Sequence, residues 1–222
     1  MVQKNMTIGF FGDSFCSNIS NEHSIKNNYS TYLQKVADHF NATITNTGVG
    51  GSSVWDLVLI QFEEQIKNGL PDVCVFVWTD MQRLFDRKHR NLNLRTSERT
   101  HSLEHKAAKE YFYHVYDDEK HRLEYTALLY YFDTVILPKY PNTKFVHLWS
   151  FGEEPATNTA RQERQYLYSW QTGVEIKPAL ETFSIIDGEL PELDSRANHI
   201  AGDDKNQQIA DLIIAAINHL RA

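Results

Sequence analysis

A hydroxyl, a glycine-rich turn and a late histidine are the residues of this chain best suited to chemistry. The stretch Thr7-Ile8-Gly9-Phe10-Phe11-Gly12-Asp13-Ser14-Phe15 is an apolar run that ends abruptly in Gly-Asp-Ser. Short apolar runs of this kind read as buried strands, and Gly with Asp reads as a turn. A serine at the C-terminal edge of a strand sits where open α/β sheets hold their ligands. Its free hydroxyl is a poor nucleophile at neutral pH, so acyl chemistry there requires a base and donors for an oxyanion. The same three residues also suit a plain strand-to-helix turn, with Ser14 as its cap.

Histidine is the natural base, and ten of them compete for the role. His89, His101, His105, His114, His121 and His219 fall in charged or helical stretches and read as solvated surface. His147 lies inside an expected strand and reads as a packed residue. His199 sits in a late loop just before a closing helix, which lets it reach the serine's edge of a sheet. The donors have a candidate in Asn46-Thr47-Gly48-Val49-Gly50-Gly51-Ser52-Ser53. Three glycines in four positions mark unusual dihedrals or close backbone approach, although simple chain reversal would use them too.

Elements that could position these groups follow from the apolar pattern. Strands are expected at Thr7 to Phe11, Ala42 to Thr45, Val73 to Trp78, Lys144 to Ser150 and Thr182 to Ile186. Val73 to Trp78 is continuously apolar, as a central strand covered on both faces should be. Helical spacing marks Tyr29 to Phe40 with Asn41 as cap, and Val54 to Lys67 with Ser53 as N-cap and Asn68-Gly69 as stop. Leu103 to Leu137 is helical in composition, with a break near Asp117-Asp118. Its second half offers Leu123, Ala127, Leu128, Tyr130, Tyr131, Val135 and Ile136 to the sheet. Lys205 to Leu220 is an amphipathic closing helix. Strands alternating with helices give an α/β class: a three-layer α/β/α sandwich on a parallel sheet of about five strands.

Composition narrows the functional classes. The 222 residues are 41% hydrophobic and 23% charged, enough for one sizeable core. A single domain over 1–222 is expected, with an insertion around 81–110 and an excursion around 151–180. The net charge is −7 and no basic stripe stands out, which argues against a nucleic-acid partner. Cys16 and Cys74 cannot make a disulfide framework or a zinc site and read as buried small residues. Neither a signal-peptide core nor a membrane-spanning run is visible, so a cytoplasmic or otherwise soluble protein is expected. The charged Met81 to Thr100 stretch reads as a surface loop or a substrate-covering lid, and Tyr166 to Trp170 as an aromatic pocket wall.

Gly12-Asp13-Ser14-Phe15, Asn46-Thr47-Gly48-Val49-Gly50-Gly51 and Asn198-His199, in that order, resemble the SGNH (GDSL) hydrolase superfamily. The resemblance spans nearly the whole chain. It implies a flavodoxin-like fold with a five-stranded parallel sheet. It also implies cofactor-independent hydrolysis of a small-molecule, carbohydrate or lipid ester, with no metal. By the same resemblance Ser14 is the nucleophile and its N–H an oxyanion donor, Gly51 the second donor and His199 the base. Two positions depart from the family pattern. The usual Asp-x-x-His has Arg196 in its acidic place, and the nearest upstream carboxylate is Asp194. That leaves either Asp194 as the orienting acid or a Ser-His dyad. The usual Gly-x-Asn-Asp is replaced by Trp78-Thr79-Asp80-Met81-Gln82-Arg83, so the third oxyanion donor is open among Thr79, Gln82 and Arg83. These departures keep a second class in play, an SGNH-fold protein that binds carbohydrate or protein without catalysis. A phosphate or nucleotide binder ranks last, because the chain lacks a P-loop lysine motif and a full Gly-x-Gly-x-x-Gly.

Overall fold

A computed structural model describes residues 5–17, 30–85, 92, 102–151, 168–183, 199–200 and 202–222. Five parallel strands form one sheet in the order β2-β1-β3-β4-β5. They are β1 (Thr7–Gly12), β2 (Thr43–Asn46), β3 (Val73–Trp78), β4 (Lys144–Trp149) and β5 (Val174–Glu175). Helix α1 (Tyr32–Phe40) links β1 to β2. Helix α2 runs from Val54–Asp56 through a π-helical Leu57–Phe62 to Glu63–Asn68. Helices α3 (Leu103–His114) and α4 (Asp118–Tyr131) precede β4, and α5 (Asp203–Arg221) closes the described chain.

Residues alternate between the two faces of a strand, and β3 divides its side chains accordingly. Val73, Val75 and Val77 join the cluster under α1 and α5, with Val36, Ile209, Ile213 and Ile217. Cys74, Phe76 and Trp78 join the opposite cluster under α2 and α4, with Leu57, Phe62, Leu129 and Phe132. Burying one such apolar side chain contributes about 1.5–3 kcal/mol, which is why β3 needs no polar face. The three-layer α/β/α architecture thus stands as the strand and helix order implies.

Local chemistry ends the elements where the sequence suggests. Thr31 accepts from Gln34 N at the start of α1, and Asn41 closes that helix in the left-handed region at φ 48°. Ser53 accepts from Asp56 N at the start of α2, and Gly69 terminates that helix at φ 94°. Helix α3 stops at Val115, two residues before Asp117 caps α4, so the expected break is real.

Two expectations are corrected. The fifth strand is Val174–Glu175, and Thr182 and Phe183 belong to a short 3₁₀ turn instead. A two-residue strand has no apolar run to announce it. It holds because Gly173, at φ 92°, lets the backbone press against Phe145, where a Cβ would stand 2.3 Å from the carbonyl oxygen. The buried face of α4 is Tyr125, Leu128, Leu129 and Phe132. Leu123 is 60% exposed, and Tyr130, Tyr131 and Val135 also face outward. Beyond Tyr131 the helix passes into a π-helical Phe132–Ile136.

Both cysteines are free and buried, as read from the sequence. Residues 93–100 and 152–167 lie outside the described residues, and so do any lid they form and Tyr166. Among the described residues no helix is long and apolar enough to cross a membrane.

Candidate functional site

Strand order reverses between β1 and β3, so the loops that leave these two strands part and open a crevice, as at the switch point of other open α/β sheets. Asp13 and Ser14 leave β1 there, and Thr79 to Arg83 leave β3. Ser150 follows β4 on the same edge.

Ser14 Oγ lies 2.8 Å from His199 Nε2. If Ser14 donates, Nε2 carries the lone pair and the ring proton rests on Nδ1. His199 adopts the left-handed region at φ 59°, a conformation that non-glycine residues hold only where their surroundings impose it. The surroundings are visible. Phe15 packs against the imidazole at 5.0 Å between ring centres. The fully buried Asn206 of α5 donates to Ile200 O and Gly202 O, and its Oδ1 accepts from Tyr32 N. One amide thereby ties the histidine loop to the start of α1. Burial lowers the pKa of His199 below its ordinary value; Asp13 opposes this and Arg83 reinforces it. A neutral imidazole at neutral pH is the result, as a general base requires.

The glycine turn lies alongside. A Cβ on Gly50 would stand 3.9 Å from Ser14 Cβ. Val49 N donates to Gly12 O, and Asn46 bridges Cys16 O at 2.6 Å to Gly48 N at 2.8 Å. Gly48 admits no side chain, because its Cβ would come 2.6 Å from Cys16 Sγ. Among the described residues the N–H groups of Ser14 and Gly51 donate to no protein acceptor.

Asp13 does not read out from the sequence as more than a turn residue. It is fully buried. Its Oδ1 accepts from Phe15 N and from Ser150 Oγ, both at 3.0 Å. Its Oδ2 accepts from Thr79 Oγ1 at 2.8 Å and pairs with Arg83 Nη1 at 3.1 Å. One carboxylate thus fastens the loops after β1, β3 and β4. Thr79 spends its hydroxyl proton on Asp13, and Gln82 N donates to Asp80 Oδ1. Arg83 stands inside the constellation.

Gln61 is a second residue that helix spacing alone does not single out. It sits in the π-helical part of α2 and is buried. Its Oε1 accepts from Gly12 N at 2.8 Å, and the two hydrogens of its Nε2 are shared among Gly12 O, Ser52 Oγ and Asp56 Oδ2 at 2.9–3.1 Å. It joins the residue two before Ser14 to the residue after Gly51. A buried Gln within an apolar helix face is the signal that could have marked it.

Other candidates fall elsewhere. His147 is fully buried and stacked on Trp170 at 3.7 Å, with its pKa pushed down to about 3 by that burial. Trp78 Nε1 donates to its Nδ1. Tyr168 and Trp170 pack on the cluster under α2 and α4, with the Tyr168 hydroxyl on Asp133, so they are not a wall beside Ser14. Asp194, Arg196 and Asn198 lie outside the described residues. Among the described residues no three His, Cys, Asp or Glu side chains converge as a metal site would.

Comparison with solved structures matches this geometry to known architecture. The esterase EstA from Pseudoalteromonas sp. aligns at a TM-score of 0.53 and 9% identity, over 97% of this chain and 98% of its own. An acetyl xylan esterase, AlAXEase, aligns at 0.52 and 16% identity, over 96% and 100%. A GDSL-like protein from Parabacteroides merdae aligns at 0.50 and 16% identity, over 98% of both chains. The chain has the SGNH-hydrolase fold. No protein-family model matches it, and no curated protein does either. At such identities the likeness carries the SGNH architecture, while the chemistry of this chain has to be argued from its own residues.

Proposed function

We propose that the protein is a serine hydrolase that cleaves carboxylic esters through an acyl-enzyme on Ser14. The observation that carries this reading is the 2.8 Å approach of Ser14 Oγ to His199 Nε2, from opposite ends of the chain. Neutral His199 takes the Ser14 proton as Oγ attacks the ester carbonyl. The tetrahedral oxyanion is met by the free N–H groups of Ser14 and Gly51. The C–O bond to the alcohol then breaks, and His199 returns the proton to the leaving oxygen. Water, deprotonated by His199, attacks the acyl-Ser14 carbonyl and releases the acid. Each oxyanion donor in such a site is worth about 3 kcal/mol of barrier. Asp194 would complete a triad by orienting the imidazole; without it the pair works as a dyad. The acetyl-ester and lipid-ester activities named for SGNH-fold neighbours make acyl and acetyl esters the substrates to try first.

Ser14→Ala tests the reading. Turnover of p-nitrophenyl acetate should fall by about a thousandfold or more, and a fluorophosphonate should label the wild-type chain at Ser14 alone. Unchanged turnover sinks the assignment. A folded chain that neither turns over nor labels is what a non-catalytic binding protein would give.

A further inference from the structure

Among the described residues, Arg83 is held through one of its three nitrogens. Its Nη1 donates to Ser52 O at 3.0 Å and contacts Asp13 Oδ2 at 3.1 Å. Both hydrogens on Nη1 are thereby committed. The guanidinium carbon stands 5.4 Å from the ring centre of Phe151. These contacts fix the group against the β1 loop, the glycine turn and the β4 loop at once. Among the described residues Nε and Nη2 have no hydrogen-bond partner. The side chain is only 11% exposed.

Asp13 does not fill the vacancy. Its four contacts exhaust both oxygens, and it meets Arg83 through Nη1 alone. The Nε–H and Nη2–H edge is the one that presents two parallel donors, the fork that matches the two oxygens of a carboxylate. An ester carbonyl would use only one of them. The Nη1 partners Asp13 and Ser52 adjoin Ser14 and Gly51 in sequence, and the Arg83 charge acts on His199, so the guanidinium stands beside the crevice that holds Ser14. A fixed guanidinium is a selective feature there, since the chain as a whole carries a net charge of −7.

We infer that Arg83 binds a carboxylate of the substrate, so that the preferred ester is a monoester of a dicarboxylic acid or another ester bearing an acidic group. The substrate class rests on the hydrolase reading of Ser14; the anion site does not.

Monomethyl and dimethyl succinate separate the two. Hydrolysis followed by NMR should show kcat/KM favouring the monoester by about tenfold or more in the wild type, the ratio expected of one charge-assisted pair. Arg83→Gln should bring the ratio to one or below, and Arg83→Lys, which keeps charge but not the fork, should keep part of it. Absence of a preference in the wild type overturns the inference, and so does an equal fall for both esters in either variant, the mark of a brace or an oxyanion donor. Calorimetric binding of monomethyl succinate to Ser14→Ala protein supplies the independent arm. If no ester is cleaved, yet the monoester binds and Arg83→Lys in that background weakens it severalfold, the hydrolase reading fails while the carboxylate site stands. Equal binding of both esters to Ser14→Ala protein overturns the site itself.

Discussion

At the scale of single residues, His199 couples the site to pH. Burial is the largest influence on its imidazole and lowers its pKa, with Arg83 acting in the same direction and Asp13 against. Only the neutral ring can accept the Ser14 proton. A lowered pKa therefore keeps the base active through neutrality, and activity should be lost as pH falls through a value below the ordinary 6.5 of histidine. The profile of kcat/KM for p-nitrophenyl acetate, an ester that does not ionise, should be flat from pH 7 to 8 with its acid limb centred below 6.5. An acid limb centred above pH 7 would mean that another group is the base. The charge on Arg83 reaches this equilibrium as well. Arg83→Gln should move the limb upward, because a cation that disfavours the imidazolium is gone.

At the scale of elements, the site depends on two helices that sequence pattern shows only in part. The apolar spacing of Val54 to Lys67 reveals a helix, and Ser53 reveals its start. It does not reveal that Leu57–Phe62 is π-helical, nor that the wider turn carries Gln61. That side chain meets Gly12, Ser52 and Asp56 in a buried setting and holds Gly12 and Ser52 at a fixed separation. The separation sets where the N–H groups of Ser14 and Gly51 sit relative to one another. Gln61→Leu should lower kcat by about tenfold or more while KM for p-nitrophenyl acetate changes little, because misplaced donors weaken the transition state most. Measured melting temperature should drop too, since Gly12 and Asp56 lose partners inside the core. A rise in KM at constant kcat would point instead to a role in substrate binding. The histidine loop has a comparable brace in Asn206, whose position on a clear amphipathic helix gave no hint of a tie to residues 200 and 202.

At the scale of the whole molecule, the sequence revealed the sheet better than its covering. Three of the five strands, β1, β3 and β4, are largely apolar and buried, as parallel strands covered on both faces require, while β2 at the sheet edge is the more polar Thr43–Asn46. Serine, glycine turn and histidine could be placed because loops after parallel strands gather on one edge. The fifth strand stayed hidden, being two residues pinned by Gly173 and Asp133: the carboxylate of Asp133 accepts from Gln171 N, Thr172 N and the Tyr168 hydroxyl. Helix α4 was misread at its face because apolar residues surround it, and spacing cannot choose among them. The structure chooses Leu129 and Phe132, both fully buried in the cluster beneath β3. That choice can be tested without reference to function. Phe132→Ala removes a ring in contact with Phe62, Phe76 and Trp78 and should cost about 3–5 kcal/mol of unfolding free energy. Leu123→Ala, on the same helix at 60% exposure, should change it by no more than about 0.5 kcal/mol. Urea unfolding monitored by tryptophan fluorescence gives both values, because Trp78 and Trp170 stack beside Phe132 and leave the core on unfolding. Equal losses for the two variants would mean that α4 meets the sheet by its other face, and the layer that supports β3 and the Thr79 to Arg83 loop would have to be rebuilt around Leu123 and Tyr130.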